Sequence, residues 1–222
     1  MYNLPYFKEK DLQKVIQFIA ENPFAFVMGC NKNYIPAATQ VPVFIEEEGG
    51  KRILRGHIMR NTDHHKAFLE NDNVLVVFTG PHTYVSATWY SDPYQASTWN
   101  YMSVHVRGKI RFLDEEALKK VLIKTSHHFE NYDSASTTVF ENLPKDYREN
   151  LMKAIVAFEI EILKFDNVFK LSQNRDQVSY ENIKQRLTSQ GGDAQTVATE
   201  MEKRTAELFP EVKHHDENGL TS

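Results

Sequence analysis

Cysteine is almost absent from this chain of 222 residues, which contains only Cys30. A single cysteine excludes an internal disulfide framework and fits a reducing compartment. Long apolar runs are lacking as well, since none approaches the roughly 18 residues of a membrane span. The start, MYNLPYFKEKDLQK, has no apolar run ahead of its charges, so no signal peptide is visible. We therefore expect a soluble cytoplasmic protein with no membrane partner.

Excess positive charge and the common catalytic motifs are also missing. The formal net charge is −4, whereas a nucleic-acid-binding domain is normally basic. There is no GxGxxG or GxxxxGK[ST] turn to hold phosphate, and Ser86 lies outside any GxSxG elbow. The nine histidines form no HExxH motif and no i, i+4 pair, so a zinc site is disfavoured. Cys30 is expected to be a buried structural thiol. We assign no catalytic residue and no metal site.

Segments of β-strand composition follow one another with short links. Paired glycines in Glu48–Lys51 favour a hairpin turn, because glycine adopts positive φ at little cost. From Ile155 the apolar residues alternate with polar ones, which indicates a late strand. About six or seven strands joined in this way favour a closed antiparallel barrel. The predicted strands are Phe24–Cys30, Ala37–Glu47, Arg52–Met59, Val74–Thr79 (closed by Gly80-Pro81), His82–Tyr90, Thr98–Leu113 and the strand from Ile155.

Helical periodicity marks the segments between and after these strands. Leu12, Val15, Ile16 and Ile19 form one apolar stripe, and Thr62 and Asp114 have the side chains of helix N-caps. The tail from Pro210 lacks a core signal and is expected to be mobile. The predicted helices are Asp11–Glu21, Thr62–Asn71, a helix from Asp114 to about Phe129, Pro144–Lys153, Val178–Ser189 and, after Gly191-Gly192, Ala194–Leu208.

Aromatic residues concentrate between Gly80 and Gly108. This stretch contains both tryptophans, Trp89 and Trp99, and four of the ten tyrosines. Two aromatic strand ends flank the polar loop Ser91–Ser97, and together they would form one wall of a pocket for a flat ligand. An ordinary aromatic core explains the same composition.

Two donor-rich segments could hold an anion. The strand that ends at Arg60-Asn61 leads into the Thr62 helix, whose first N–H groups can meet a phosphate, and Arg60 and Lys66 add positive charge. The second segment is Lys170–Arg175, just after the late strand. The alternatives are that the cations are solvated surface charges and that Lys170–Arg175 is a turn with local capping.

Seven stretches, all in order, resemble the PaiB family of FMN-binding negative transcriptional regulators, which have the flavin-binding split-barrel fold. Each stretch is weak alone, and the ordered set is specific. The stretches are MYNLPYF at the start, ATQVP at 38–42, LRGHIMRN at 54–61, FTGPHTYVSATWY at 78–90, STWNY at 97–101, VHVRG at 104–108 and KLSQNR at 170–175.

The resemblance implies a mainly β protein with peripheral helices, an FMN-binding split β-barrel that forms a homodimer with FMN at the subunit interface. We divide the chain into a split-barrel domain, 1–175, and a C-terminal helical appendix with a mobile tail, 176–222. The family often has His in place of Gln40, Asn-Pro in place of Asn61-Thr62 and Ser-Pro in place of Ser86-Ala87.

The resemblance also implies the cofactor site. Three groups of residues would form it. The first group would line the flavin ring, and the second would lie toward the phosphate, with Lys66 as a secondary candidate. The third group would close the site, with some of its residues coming from the partner chain. The backbone amides of Gln40 and Val41 would bond the polar edge of the ring. The three groups are Thr39, Gln40, Val41 and Pro42; His57, Arg60, Asn61 and Lys66; and Trp99, Asn100, Lys170, Ser172 and Gln173.

Two functions remain open from the sequence. The family name implies a regulator, in which FMN or its redox state is the signal, but no helix-turn-helix pattern with a basic recognition helix is present. Nucleic acid is therefore a partner by resemblance only. The alternative is a flavin-dependent oxidoreductase, similar to flavin reductases or pyridoxamine phosphate oxidases, of unknown substrate. A split-barrel protein that has lost its cofactor is a third interpretation.

Overall fold

The computed structural model describes residues 1–92 and 94–210, so the predicted mobile tail lies, from residue 211 onward, outside the described residues. Six strands form a closed barrel in the order β1-β2-β3-β6-β5-β4, and the strand pairs given by register are antiparallel. This confirms the predicted β-barrel with peripheral helices. The strands are β1 (Phe24–Cys30), β2 (Pro36–Glu48), β3 (Lys51–Met59), β4 (Asn73–Val85), β5 (Thr98–Phe112) and β6 (Ile155–Lys170).

Helices follow the predicted positions closely. Asp11, Thr62 and Asp114 cap their helices, each accepting a hydrogen bond from a backbone N–H in the first turn. No helix within residues 1–92 and 94–210 is long and apolar enough to span a membrane. The helices are α1 (Leu12–Glu21), α2 (Asp63–Glu70), α3 (Glu115–Phe129), α4 (Lys145–Ala154), α5 (Gln177–Gln190) and α6 (Gly192–Leu208).

Two predicted strand boundaries are wrong. β4 does not stop at Gly80-Pro81 but runs through to Val85. A Cβ on residue 80 would lie 2.6 Å from the Phe18 ring, so this glycine serves a close approach and not a turn. The predicted strand His82–Tyr90 is only the end of β4, because Ser86 then caps a short 3-10 turn, Ala87–Trp89. The barrel therefore has six strands and not seven.

The chain divides into two compact units. The first comprises Met1, Glu9–Gly80 and Ser103–Val168, and the second comprises, among the described residues, Tyr2–Lys8, 81–92, 94–102 and 169–210. Apolar side chains that are fully excluded from solvent fill the first unit, as period-two strands with one buried face require. They include Val27, Val43, Leu54, Val76, Val104, Phe158 and Ile160.

The outer side of the barrel carries a smaller core under α3. Leu118, Val121 and Leu122 of α3 pack with Phe140 and with Ile155 and Ala157 of β6. All of these residues belong to the first unit. The amphipathic stripe of α3 thus covers one outer face of the barrel.

The second unit contains the helix pair α5 and α6. Tyr180, Ile183 and Leu187 of α5 are fully buried, as is Met201 of α6, and the Tyr180 hydroxyl donates to the Met201 carbonyl oxygen over 2.8 Å. Positive φ at Gly191 and Gly192, 74° and 54°, reverses the chain between the two helices. The glycine pair therefore separates the helices as predicted.

Candidate functional site

Strands β2 and β3 part at one end of their ladder. Their pairing runs from Glu48↔Lys51 to Val43↔Gly56. Beyond that point Pro36–Pro42 pairs with β1, while His57–Met59 pairs with β6. Thr39–Pro42 of β2 and the residues from His57 to Asn61 therefore lie on facing segments that the β2–β3 register no longer pairs with each other. We call this region the β2–β3 cleft.

The backbone of β2 presents alternate residues to this cleft. The Val43 N–H donates to the Pro23 carbonyl over 2.7 Å, so Val43 faces the β1 side. Because the amides of a strand alternate in direction, Val41 also faces β1, whereas Gln40 and Pro42 face the cleft. Proline has no N–H, so the amide of Gln40 is a donor directed into the opening. The predicted contact between the Gln40 amide and a ring edge stays a prediction, and the Val41 amide would have to leave the β1 side to make the same contact.

Side chains on β2 follow the same alternation. Gln40 is exposed, and Thr39, Val41 and Pro42 are half-buried. Gln40 pairs with Phe26 of β1 and Pro42 pairs with Phe24. Both phenylalanines are exposed, by 39% and 53%. An apolar outer surface therefore adjoins the cleft.

His57 provides an unpaired polar atom on the opposite side of the cleft. Its Nδ1 is buried and has no hydrogen-bond partner within the described residues. Burial lowers the pKa of the imidazole, so the ring is neutral at neutral pH. A buried nitrogen without a partner is rare in a native fold and fits a bound ligand.

Arg60 is held firmly at the end of β3. Its backbone N–H and its Nε donate to the carbonyl oxygens of Ala154 and Ile155, each over 2.9 Å. The Nη groups have no partner within the described residues. An arginine anchored through Nε and free at Nη is well suited to bind an anion in a defined direction.

Asn61 joins the strand to α2 in a left-handed conformation, with φ of 63°. Its N–H donates to His65 Nδ1 over 3.1 Å. Burial, and then the positive charges of Arg60, His64 and Lys66, lower the pKa of His65, which keeps the accepting imidazole neutral. The Asn61 side chain is exposed beside Arg60.

The first N–H groups of α2 are not free, contrary to the prediction. Thr62 Oγ1 accepts from the His65 N–H over 3.3 Å, and the Asp63 carboxylate accepts from the His64 N–H over 2.8 Å. The side-chain oxygens of Thr62 and Asp63 accept hydrogen bonds from these N–H groups and so take the place of an external anion. A phosphate at this position would therefore depend on Arg60 more than on the helix. Lys66 lies beyond the cap and is exposed.

The remaining predicted residues lie together in the second unit. Lys170 Nζ donates to the Trp99 carbonyl over 2.9 Å and also bonds Thr98 Oγ1. Burial, and secondarily the charge of Arg175, lower the pKa of Lys170. Ser172 Oγ donates to Asn100 Oδ1 over 3.0 Å. These contacts fix the turn after β6.

Gln173 and two aromatic residues complete this group. Gln173 Oε1 accepts from the Leu171 N–H over 2.7 Å, so its side chain bonds within its own turn. The rings of Tyr2 and Phe7 lie 5.7 and 5.9 Å from Lys170 Nζ. Neither ring is among the predicted site residues, although both belong to the MYNLPYF stretch. Trp99 is half exposed, at 52%.

Comparison with known protein families shows to which family the chain belongs. The model of the family described as "Putative FMN-binding domain" (FMN_bind_2) matches residues 1–164. The chain belongs to this family. The match includes the β2–β3 cleft, Trp99 and Asn100, and it ends before Lys170. Family membership confirms the predicted resemblance and the predicted cofactor, FMN.

Relatives of this FMN-binding family member agree with the assignment. It is 30% identical to protease synthase and sporulation protein PAI 2 of Bacillus subtilis, over 86% of this chain and 90% of the relative. It is 27% identical to the uncharacterized protein AN0679 of Emericella nidulans, over 87% and 93%. Similarity thus extends over most of each chain.

Solved structures of similar fold include flavin proteins. The flavocytochrome Anf3 from Azotobacter vinelandii gives a TM-score of 0.54 at 18% identity, over 76% of this chain and 72% of that one. The FAD and heme binding protein from Mycobacterium smegmatis gives 0.51 at 15% identity, over 73% and 72%. At such identities the likeness establishes the fold alone, and it confirms the split β-barrel.

Proposed function

We propose that this protein binds FMN in the β2–β3 cleft of a homodimer and acts as a flavin-dependent regulator of the PaiB type. One observation carries the location of the site. His57 Nδ1 is buried without a partner within the described residues, and Gln40 on the neighbouring strand lies beyond the last β2–β3 pair. A buried polar nitrogen needs a partner, and the polar edge of a flavin ring carries both donors and acceptors.

Different residues around the cleft would bind the ring and the phosphate of FMN. Thr39, Gln40, Val41 and Pro42 would lie along the ring, with the hydrogen bond coming from Gln40. Arg60 would pair with the phosphate through its Nη groups, next to the exposed side chain of Asn61. When bound, FMN supplies the redox chemistry, while the protein supplies binding, orientation and electrostatics.

The predicted site residues of the second unit form a group of their own. Trp99, Asn100, Lys170, Ser172 and Gln173 form one connected group through the bonds of Lys170 to Trp99 and of Ser172 to Asn100. The partially desolvated ammonium of Lys170 suits an anionic or carbonyl-rich ligand. In this proposal some of these residues act on the flavin of the partner chain.

Exposed aromatic residues support the homodimer. Phe24 and Phe26 stand on the outer face of β1, and each pairs with a residue beside the cleft, Pro42 or Gln40. Large exposed apolar residues that are neighbours mark interaction surfaces. A second copy that covered Phe24 and Phe26 would complete the wall of the cleft.

A flavin-dependent oxidoreductase is the second candidate, and His57 favours it. The lowered pKa of His57 leaves a neutral imidazole beside the proposed flavin ring. A neutral imidazole can accept a proton from a substrate or donate a hydrogen bond to it. A regulator would use His57 only to hold the flavin, whereas an oxidoreductase would also use it on the substrate, so the effect of His57 on turnover separates the two functions.

Flavin retention is the first test. The purified protein is mixed with FMN, passed through a desalting column and examined by absorption spectroscopy. We expect a flavin spectrum to remain with the protein. A protein that retains neither FMN nor, in a parallel run, riboflavin would favour a split-barrel protein that has lost its cofactor.

The two functions then differ in their readout. An oxidoreductase should oxidise NADH or NADPH with bleaching of the flavin absorption, and His57→Gln should slow that step. A regulator should retain a DNA fragment from upstream of its own gene, with an affinity that falls as salt rises and that differs between FMN-bound and FMN-free protein. DNA binding that is independent of FMN would contradict the regulatory proposal.

A further inference from the structure

A polar groove of about 400 Å³ lies in the second unit, and none of its lining residues belongs to the β2–β3 cleft. One wall is the 3-10 turn that ends at Trp89, followed by Tyr90. The other is a single face of α5, formed by Asn182, Gln185, Arg186 and Ser189. The spacing of these four residues, i, i+3, i+4 and i+7, places them on one side of the helix. The groove has the volume typical of small-molecule sites.

The polar side chains of this wall are available for a ligand. In the described residues, the amides of Asn182 and Gln185 and the guanidinium of Arg186 have no hydrogen-bond or ion-pair partner. Lys184 of the same helix differs, because it pairs with Glu181 over 2.8 Å and also with Glu202. Its cation is neutralised within the unit, whereas Arg186 contributes a free positive charge to the groove.

Tyr90 adds a second unusual feature to the groove. It is 5% exposed, and its hydroxyl is buried without a hydrogen-bond partner within the described residues. The Arg175 guanidinium carbon lies 4.0 Å from the centre of the Tyr90 ring. A buried hydroxyl rarely remains unpaired, and the arginine next to the ring makes this side of the groove more favourable for negative charge.

We propose that this groove binds a small aromatic carboxylate. Arg186 has the planar fork that pairs with a carboxylate through two parallel hydrogen bonds. The half-buried indole of Trp89 offers a flat apolar surface for a ring. Asn182 and Gln185 can then bond polar substituents on that ring. The site is independent of the proposed FMN function.

Carboxylate fits the groove better than phosphate does. A phosphate site normally combines several cations with backbone N–H groups at a turn or a helix start. Here Arg186 is the only cation among the groove residues, and it lies within α5, more than two turns from the start of that helix at Gln177. One arginine beside one aromatic ring is the arrangement expected for a planar monoanion.

Titration of the FMN-saturated protein tests the proposal, because excess FMN keeps the probe out of the flavin cleft. The probes are benzoate, its uncharged analogue benzamide and inorganic phosphate. The signal is the indole N–H resonance of Trp89 in a proton–nitrogen NMR spectrum, identified by its loss in Trp89→Phe. We expect a saturable shift with benzoate, and at least tenfold weaker responses to benzamide and phosphate.

A pair of charge-matched variants completes the experiment. Arg186→Gln should weaken benzoate binding at least tenfold, while Lys120→Gln, which removes one exposed cation from α3, should leave it unchanged. Absence of a benzoate shift, or a shift that Arg186→Gln does not weaken, would overturn the proposal. An equal response to phosphate would also overturn it, since the groove would then respond to charge and not to a planar carboxylate.

Discussion

Gly56 has no room for a side chain beside Pro42, at the place where β2 and β3 part. A Cβ on residue 56 would lie 2.7 Å from the Pro42 carbonyl oxygen and equally close to the Phe158 ring. Only glycine allows the two strands to come this near at their last pair, Val43↔Gly56. The cleft therefore begins where the Pro42 carbonyl and the Phe158 ring leave no space for a Cβ on residue 56.

Gly56→Ala should accordingly weaken FMN binding as well as stability. The added methyl group forces Pro42 or Phe158 to move, which costs about 1–3 kcal/mol, and any movement of Pro42 changes the wall of the cleft. Urea unfolding and FMN titration measure the two effects. Gly49→Ala is the matched control, because its cost of about 1 kcal/mol arises only from positive φ in the hairpin turn. Unchanged FMN affinity in Gly56→Ala would separate this contact from the flavin site.

Arg60→Ala should weaken FMN by about ten- to a hundredfold and hardly affect riboflavin. A charge-assisted bond to phosphate is worth roughly 1.5–3 kcal/mol, and riboflavin has no phosphate. Flavin fluorescence during titration of both ligands gives the ratio. Lys66→Ala should have a smaller effect, because Lys66 is exposed beyond the capped start of α2. Equal losses for both ligands would mean that Arg60 supports the pocket through Ile155 without contacting the phosphate.

The local elements of the fold were predictable, since they depend on short-range patterns. The apolar stripe of Asp11–Glu21, the caps at Thr62 and Asp114 and the period-two alternation from Ile155 identified their helices and strand correctly. The continuation of β4 through Gly80-Pro81 was not predictable, because it depends on the Phe18 ring, which is distant in sequence. A glycine–proline pair resembles a turn unless that packing is known.

The cleft itself also required the structure. The sequence named residues on both sides of it, through Gln40 and Arg60, but the parting of β2 and β3 is a matter of strand register. Register likewise decides that Gln40 and not Val41 turns its amide toward the opening. The capping of α2 by Thr62 and Asp63 was visible in the sequence, because both residue types favour the start of a helix. Their side chains occupy N–H groups that the predicted phosphate would need.

Glu159 should make stability sensitive to acid. Burial opposes its ionisation, but hydrogen bonds from Arg111 and Arg55 and the charges of both outweigh burial and hold the pKa of this carboxyl below its usual 4.5. Because the folded pKa is depressed, the stabilisation is present above the unfolded pKa and is lost as pH falls through the folded pKa. Glu159→Gln should cost about 1–3 kcal/mol at pH 7 and flatten the acid limb of a stability–pH curve.

The control for this change is Glu161→Gln, an exposed carboxylate two residues further along β6. It should shift stability by less than about 0.5 kcal/mol and leave the acid limb unchanged. Urea midpoints between pH 7 and pH 3 supply both curves. If Glu159→Gln and wild type lose stability in parallel on acidification, the charge network around Glu159 does not govern the acid response.

Light scattering should report a mass of twice the 25.8 kDa chain if the protein is a homodimer. Phe26→Ser should shift the mass toward the monomer and weaken FMN, because Phe26 pairs with Gln40 at the cleft. Tyr147→Ser, which removes an exposed aromatic side chain from α4, should change neither quantity. A monomer mass for wild type at micromolar concentration would refute the dimer.

Tyr90 and Tyr180 offer a matched test of buried hydroxyl groups in the second unit. Both rings are buried, but the Tyr180 hydroxyl donates to the Met201 carbonyl over 2.8 Å, whereas that of Tyr90 has no partner within the described residues. Tyr180→Phe leaves the Met201 carbonyl without this donor and should cost about 1–2 kcal/mol. Tyr90→Phe removes an unsatisfied group and keeps the ring under Arg175, so it should be neutral or stabilising. Urea unfolding of both variants in the absence of added ligand measures the difference. A loss of more than about 1 kcal/mol in Tyr90→Phe would show that the hydroxyl already has a partner, such as an ordered water, and is not free for a ligand.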